Sequence, residues 1–222
     1  MTGDAWRLWL FTGIALGAVV VTLSIPPVAQ DPAYHQFADT RALLGLENFW
    51  NVVSNFAFFV VGLGGLFVIG NADERSRASA AEWVFCIGVL LIGPGSAWYH
   101  LDPTTPTLFW DRLPMSMAFM ALLSALLGDA LSPAWGRFSL WPLLLLGVTS
   151  VLYWATTEQS GAGDVRFYAL VQFLPMVLIP LLLAVYGTHR YRTLPVWLAL
   201  ACYALAKGAE VSDHLIMETT GM

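Results

Sequence analysis

Residues Gly95–Arg112 read GSAWYHLDPTTPTLFWDR, and they set a serine, a histidine and two aspartates inside a chain that is otherwise apolar. Ser96 and His100 are four apart, so on a helix they share one face. Asp102 and the turn from Pro103 to Pro106 end that helix, and the next begins near Phe109 with Asp111 in its first turn and Pro114 at an early position. A hairpin with so short a turn brings the end of one helix and the start of the next to the same depth. Ser96, His100 and Asp111 are therefore expected to converge.

The surrounding composition says what that depth is measured in. Hydrophobic residues make up 58% of the 222 and charged residues 11%, far from the balance of a soluble domain. Apolar runs of roughly 20 residues, enough to cross a hydrocarbon core of about 30 Å as a helix, fall at 7–26, 48–70, 81–102, 108–128, 138–157, 165–186 and 194–216. The expected fold class is all-α, a polytopic transmembrane helix bundle of about seven spans forming one integral membrane domain over 1–222. Arg7 precedes the first run like the n-region of a secretory signal, but SIPPVAQDP offers no small-residue cleavage site, so the run is expected to stay as a span.

Basic residues in short loops favour the cytoplasmic side. With the N-terminus inside, Arg7, Arg75, Arg77, Arg137, Arg190 and Arg192 lie inside, against Arg41, Arg112, Arg166 and Lys207 outside. That bias places the N-terminus in the cytoplasm, and the compact loops suggest a prokaryotic inner membrane. The net charge of −5 is carried mostly by acids in outer segments, which gives no reason to expect a nucleic-acid partner. No protein partner is implied either. Cys86 and Cys202 sit in separate apolar runs without metal-ligand spacing.

Strongly polar side chains within a span are costly and normally face the bundle interior. Two clusters join the hairpin's. FWNVVSN places Asn51 and Asn55, after Asn48, down one helical face, and KGAEVSDHL holds Lys207, Glu210, Asp213 and His214, with Glu210 and His214 four apart. Tyr168 and Gln172, also four apart, enter the sixth span from the same side. Each residue alone has an ordinary explanation as a cap, a back-bonded hydroxyl or an interhelical bond. All of them at one level of the membrane argue for a single polar pocket. Histidine with carboxylates suits zinc, whose bound water is acidified to a pKa of about 7.

GSAWYH followed by FWDRLPM resembles the paired motif of the alkaline ceramidase family, and FWNVVSN resembles the start of that family's first core helix. The superfamily also holds the adiponectin receptors and lipid-anchor remodelling enzymes. The resemblance implies a zinc-dependent amidohydrolase of ceramide-like membrane lipids, in which His100 is the first metal ligand, Ser96 lies near the metal-bound water and Asp111 is the acid of the same pocket. Its substrate would be a membrane lipid, and its site would face the non-cytoplasmic side. Ester lipolysis of phospholipids and non-catalytic lipid binding are the alternatives.

Two departures qualify the match. The family draws its other zinc ligands from an HxxxH pair on the last core helix, and this sequence has no HxxxH. Span 7–26 is then an N-terminal addition, and 48–216 supply six of the seven core helices. Three explanations stand: a longer natural chain, a different metal site using His214 and Glu210, or a non-catalytic member. The family's calcium-binding acidic segment has no clear counterpart among Asp31, Asp39 and Glu47, so calcium stays unassigned. Of the remaining histidines, His35 is expected to approach the pocket and His189 to lie in an inner basic loop.

Overall fold

The computed structural model describes residues 5–73 and 78–220; Arg75 and Arg77 of the inner basic set lie outside them. The described chain is helical: α1 (Ala5–Ser24), α2 (Phe49–Ser54), α3 (Phe56–Gly70), α4 (Ala80–Leu101), α5 (Thr105–Ala130), α6 (Pro133–Gln159), α7 (Arg166–Val185), α8 (Thr193–Val211) and α9 (Asp213–Thr220). Seven spans are long and apolar enough to cross a membrane, with α2 and α3 counting as one. The all-α bundle of seven spans expected from the apolar runs is what forms.

The second span tightens at Asn55, whose N–H turns to the Val52 and Val53 carbonyls instead of continuing the regular ladder. The last span likewise breaks at Ser212, so Asp213 and His214 open the short helix α9 rather than end a long one. The α5 start also differs from the expected boundary. Thr104 and Thr107 cap each other's backbone N–H groups, and Pro106 lies within the first turn, so the helix begins at Thr105. Asp111 consequently falls on the second turn, and Pro114 is inside the helix.

α5 is the axis of the bundle and packs against α4, α6 and α7, while α3 leans on α4 and α1 on α7. Of the most apolar window of α5, 56% is buried, whereas none of the corresponding windows of α1 and α8 is. Lipid tails are as apolar as leucine, so close helix contact in a membrane depends on small residues that let backbones approach. A Cβ on Gly62 would collide with the Leu90 backbone, and one on Gly95 with the Trp110 carbonyl oxygen. That carbonyl lies four residues before Pro114, which has no N–H to offer it. The glycine and the proline together fix how closely the hairpin α4–α5 shuts.

Residues 25–48 lie across one end of the bundle and are tied to it at several points. The Val165 N–H donates to the Val28 carbonyl, and the Gln30 N–H to Glu158 Oε1 at 2.6 Å. Arg166 forks onto Asp164 at 2.8 Å through both Nε and Nη2 and also donates to the Ile25 carbonyl. That pairing and the Tyr153 hydroxyl hold the Asp164 carboxyl well below the usual carboxylate range. At the opposite end Asp129 accepts the N–H groups of His189 and Arg190, and Arg190 pairs with Glu82 at 3.1 Å. Both ends are thus laced by polar bonds around an apolar middle.

Candidate active site at the mouth of the α4–α5 hairpin

Ser96 and His100 lie one turn apart near the C-terminal end of α4. Ser96 and Asp111 are 6% and 9% exposed, and the Ser96 hydroxyl is near enough to act on the Asp111 carboxyl. His100 is half-buried; its ring lies 4.7 Å from that of Phe37, and its Nδ1 is buried with no hydrogen-bond partner. Its backbone carbonyl accepts from Asn48 Nδ2 at 2.9 Å. The hairpin therefore brings Ser96 and Asp111 together and leaves a free imidazole nitrogen on the same helix face.

The asparagine stripe serves mainly to position backbone. Asn48 takes the left-handed conformation that asparagine tolerates best among residues with a Cβ, at φ 51°. Asn51 donates to the Asp39 carbonyl at 2.8 Å, and Asn55, buried, donates back to the Asn51 carbonyl at 2.6 Å. These bonds hold the 25–48 segment over the hairpin mouth. Tyr168 is buried beneath the Arg112 guanidinium, 4.5 Å from its carbon, and Gln172 donates to the Tyr203 hydroxyl at 2.9 Å, tying α7 to α8.

The C-terminal cluster sits at the same end but is occupied with residues 25–48, which form a strap over it. Glu210 accepts from the Tyr34 hydroxyl at 3.0 Å and from Lys207 at 2.6 Å, while His214 Nε2 meets the Gln36 carbonyl at 3.0 Å and Asp213 accepts from the Ala38 N–H. Glu210 and His214 are both exposed. His35 does reach the pocket. The Tyr99 hydroxyl donates to the Tyr34 carbonyl, so it accepts from His35 Nδ1–H at 3.1 Å, and bare Nε2 accepts from Thr105 at 3.1 Å. Burial, then the nearby Arg112 charge, lowers the His35 pKa, in keeping with this neutral arrangement.

Several pocket residues carry no motif. Arg112 is 5% exposed and lies between Trp154 and Tyr168. Tyr34, Phe37 and Tyr99 wall the same space. An arginine beside a helix cap reads as an interfacial snorkel, and a tryptophan inside an apolar run reads as lipid-facing. The one signal available was that Arg112 stands next to Asp111 inside the quoted stretch.

A zinc ion needs three or four ligands. His100 offers one orphaned imidazole nitrogen, but among the described residues no three His, Cys, Asp or Glu side chains gather closely enough to hold a metal. These side chains alone do not complete such a site. Ser96 and Asp111 place a hydroxyl and a carboxylate near each other across the hairpin, groups that can serve acyl chemistry as a hydrogen-bond donor and a proton acceptor.

Residues 46–206, more than two thirds of the chain, match the family model described as Ceramidase. Neither the search of curated proteins nor that of solved structures returns a match. The matched region contains the whole α4–α5 hairpin with Ser96, His100 and Asp111, and on that match this membrane-spanning chain belongs to the ceramidase family.

Proposed function

We propose that this chain hydrolyses the fatty amide of ceramide-like lipids within the membrane. Water adds across the C–N bond, its oxygen going to the acyl carbon and a proton to the departing amine, to leave a fatty acid and a long-chain base. Asp111 accepts the proton of the attacking water and passes it to the amine nitrogen, and the Ser96 hydroxyl donates to the developing oxyanion. The observation that carries this reading is a buried serine on α4 acting on a buried carboxylate on α5, with an imidazole one turn along α4 whose Nδ1 has no partner.

Zinc at His100 is part of the proposal. Because no three His, Cys, Asp or Glu side chains gather among the described residues, each step is assigned to this chain's own residues alone. Metal analysis of the purified full-length protein, with and without His100→Ala, tests the zinc. Equal metal content in the two would remove His100 from the ligand set.

The lipid enters sideways from the bilayer, and the site faces the non-cytoplasmic side. The inner and outer distribution of arginines supports this orientation. The functional test compares release of fatty acid from a ceramide and from a phospholipid by the purified protein in mixed micelles. Ceramide turnover that is lost in Asp111→Asn supports the reading. Faster cleavage of the phospholipid ester would replace it with the lipase alternative, and saturable ceramide binding without turnover would replace it with a lipid-binding role.

A further inference from the structure

The strongest unexplained feature lies beside Asp111 rather than on it. Arg112 is 5% exposed, and its guanidinium carbon sits 4.1 Å from the Trp154 ring centroid, 4.5 Å from Tyr168 and 5.6 Å from Tyr34. Nη2 donates to Gln30 Oε1 at 2.7 Å. Nη1 is buried with no partner, and so is the indole Nε1 of Trp154, a side chain that is 0% exposed. None of the ion pairs found among the described residues includes Arg112.

Aromatic faces and the neighbouring Asp111 carboxyl relieve part of the cost of burying this cation, but neither gives its Nη1 a hydrogen bond. Two orphaned donors on one stacked pair, a charged fork arm and a neutral indole N–H, suit a planar oxyanion. Leu108, Val151 and Tyr99 pack around the same spot, so the walls are apolar. An ion drawn from bulk water would lose its hydration there without compensation from an attached chain. A carboxylate on a long hydrocarbon meets both demands.

We infer that Arg112 and Trp154 form the seat of a carboxylate, that of the fatty acid set free when the amide is cleaved. The inference rests on the hydrolase reading for the origin of its ligand, since an uncleaved ceramide carries no carboxylate. The seat stabilises the product side of the reaction, and free fatty acid inhibits the enzyme by occupying it.

The test is equilibrium binding of oleate and of oleyl alcohol to the full-length protein in detergent, at alkaline pH where the acid is ionised. Wild type binds oleate at least about tenfold more tightly than the alcohol, as a charge-assisted contact requires. Arg112→Met reduces that preference to about twofold or less. Trp154→Phe keeps the ring and loses about threefold, which serves where the arginine variant does not fold.

Equal binding of acid and alcohol by wild type would overturn the seat, as would an undiminished preference in folded Arg112→Met. Ceramide turnover is read separately on the same preparations. Turnover without a carboxylate preference would sink the seat and spare the hydrolase, whereas an Arg112-dependent preference without turnover would sink the hydrolase and spare the seat.

Discussion

Two polar clusters lie at the same end of the bundle, and they differ in what their side chains still have to offer. In the α4–α5 hairpin, Ser96 and Asp111 are buried and His100 keeps a nitrogen without a partner. In the α8–α9 segment, Glu210, Asp213 and His214 are exposed or half-buried, and each is bonded to the strap over residues 34–38. The sequence shows a His and an acid in both. Burial without saturation marks a site, because an unmet hydrogen-bonding group away from water is retained only where something else compensates it. Saturated and exposed groups mark a fastening.

The contrast can be broken by substitution. Asp111→Asn is expected to have the largest effect, a fall in kcat/KM on the order of 10³ with the fold intact, because the proton acceptor is gone while the shape remains. Ser96→Ala removes one donor to the oxyanion and is expected to cost about 10² in kcat. Glu210→Gln, in the fastening cluster, changes kcat/KM by less than about threefold. An equal loss in Ser96→Ala and Glu210→Gln would mean that burial does not separate the two clusters.

The same contrast applies to packing. Gly95 meets the Trp110 carbonyl, whereas Gly208 in α8 has open space where a Cβ would go. Gly95→Ala is expected to destabilise the protein by about 2 kcal/mol through overpacking. Gly208→Ala should leave it unchanged or stabilise it by up to about 1 kcal/mol, since alanine favours helix. Thermal unfolding in detergent measures both, and a neutral Gly95→Ala would show that the hairpin is not held shut by that contact.

The smallest expected effect is on pH dependence. His35 has a lowered pKa, caused first by burial and then by Arg112, so the neutral ring is the folded form. Its contribution is fully present above the unfolded value of 6.5 and declines as pH falls below that value towards the lowered one. His35→Gln should flatten this limb of the stability profile between neutral and mildly acidic pH. A limb unchanged by the substitution would assign the decline to another group.

The spans were legible because a stretch of about 20 apolar residues has few other uses. Their breaks were not. Asn55 and Ser212 interrupt helices through local backbone bonds that leave no mark on hydropathy, and the α5 start moved to Thr105 because Thr104 and Thr107 cap one another. The Ser96, His100 and Asp111 spacing was readable because a four-residue step and a short turn fix relative positions. Arg112 and Trp154 were not, since their roles depend on α5, α6 and α7 meeting, a long-range contact that periodicity does not encode. The strap was likewise silent, being held by bonds from Asn51, Glu158 and Arg166 that lie far from it in sequence.

The central claim is that the buried hairpin cluster works and the exposed one fastens, and ceramide hydrolysis by His100→Ala and His214→Ala tests it most directly. Measured side by side on purified protein with matched melting temperatures, His100→Ala should lose at least about 10² in kcat/KM, and His214→Ala should stay within about threefold of wild type. Equal activity in the two variants, or a greater loss at His214, would contradict it.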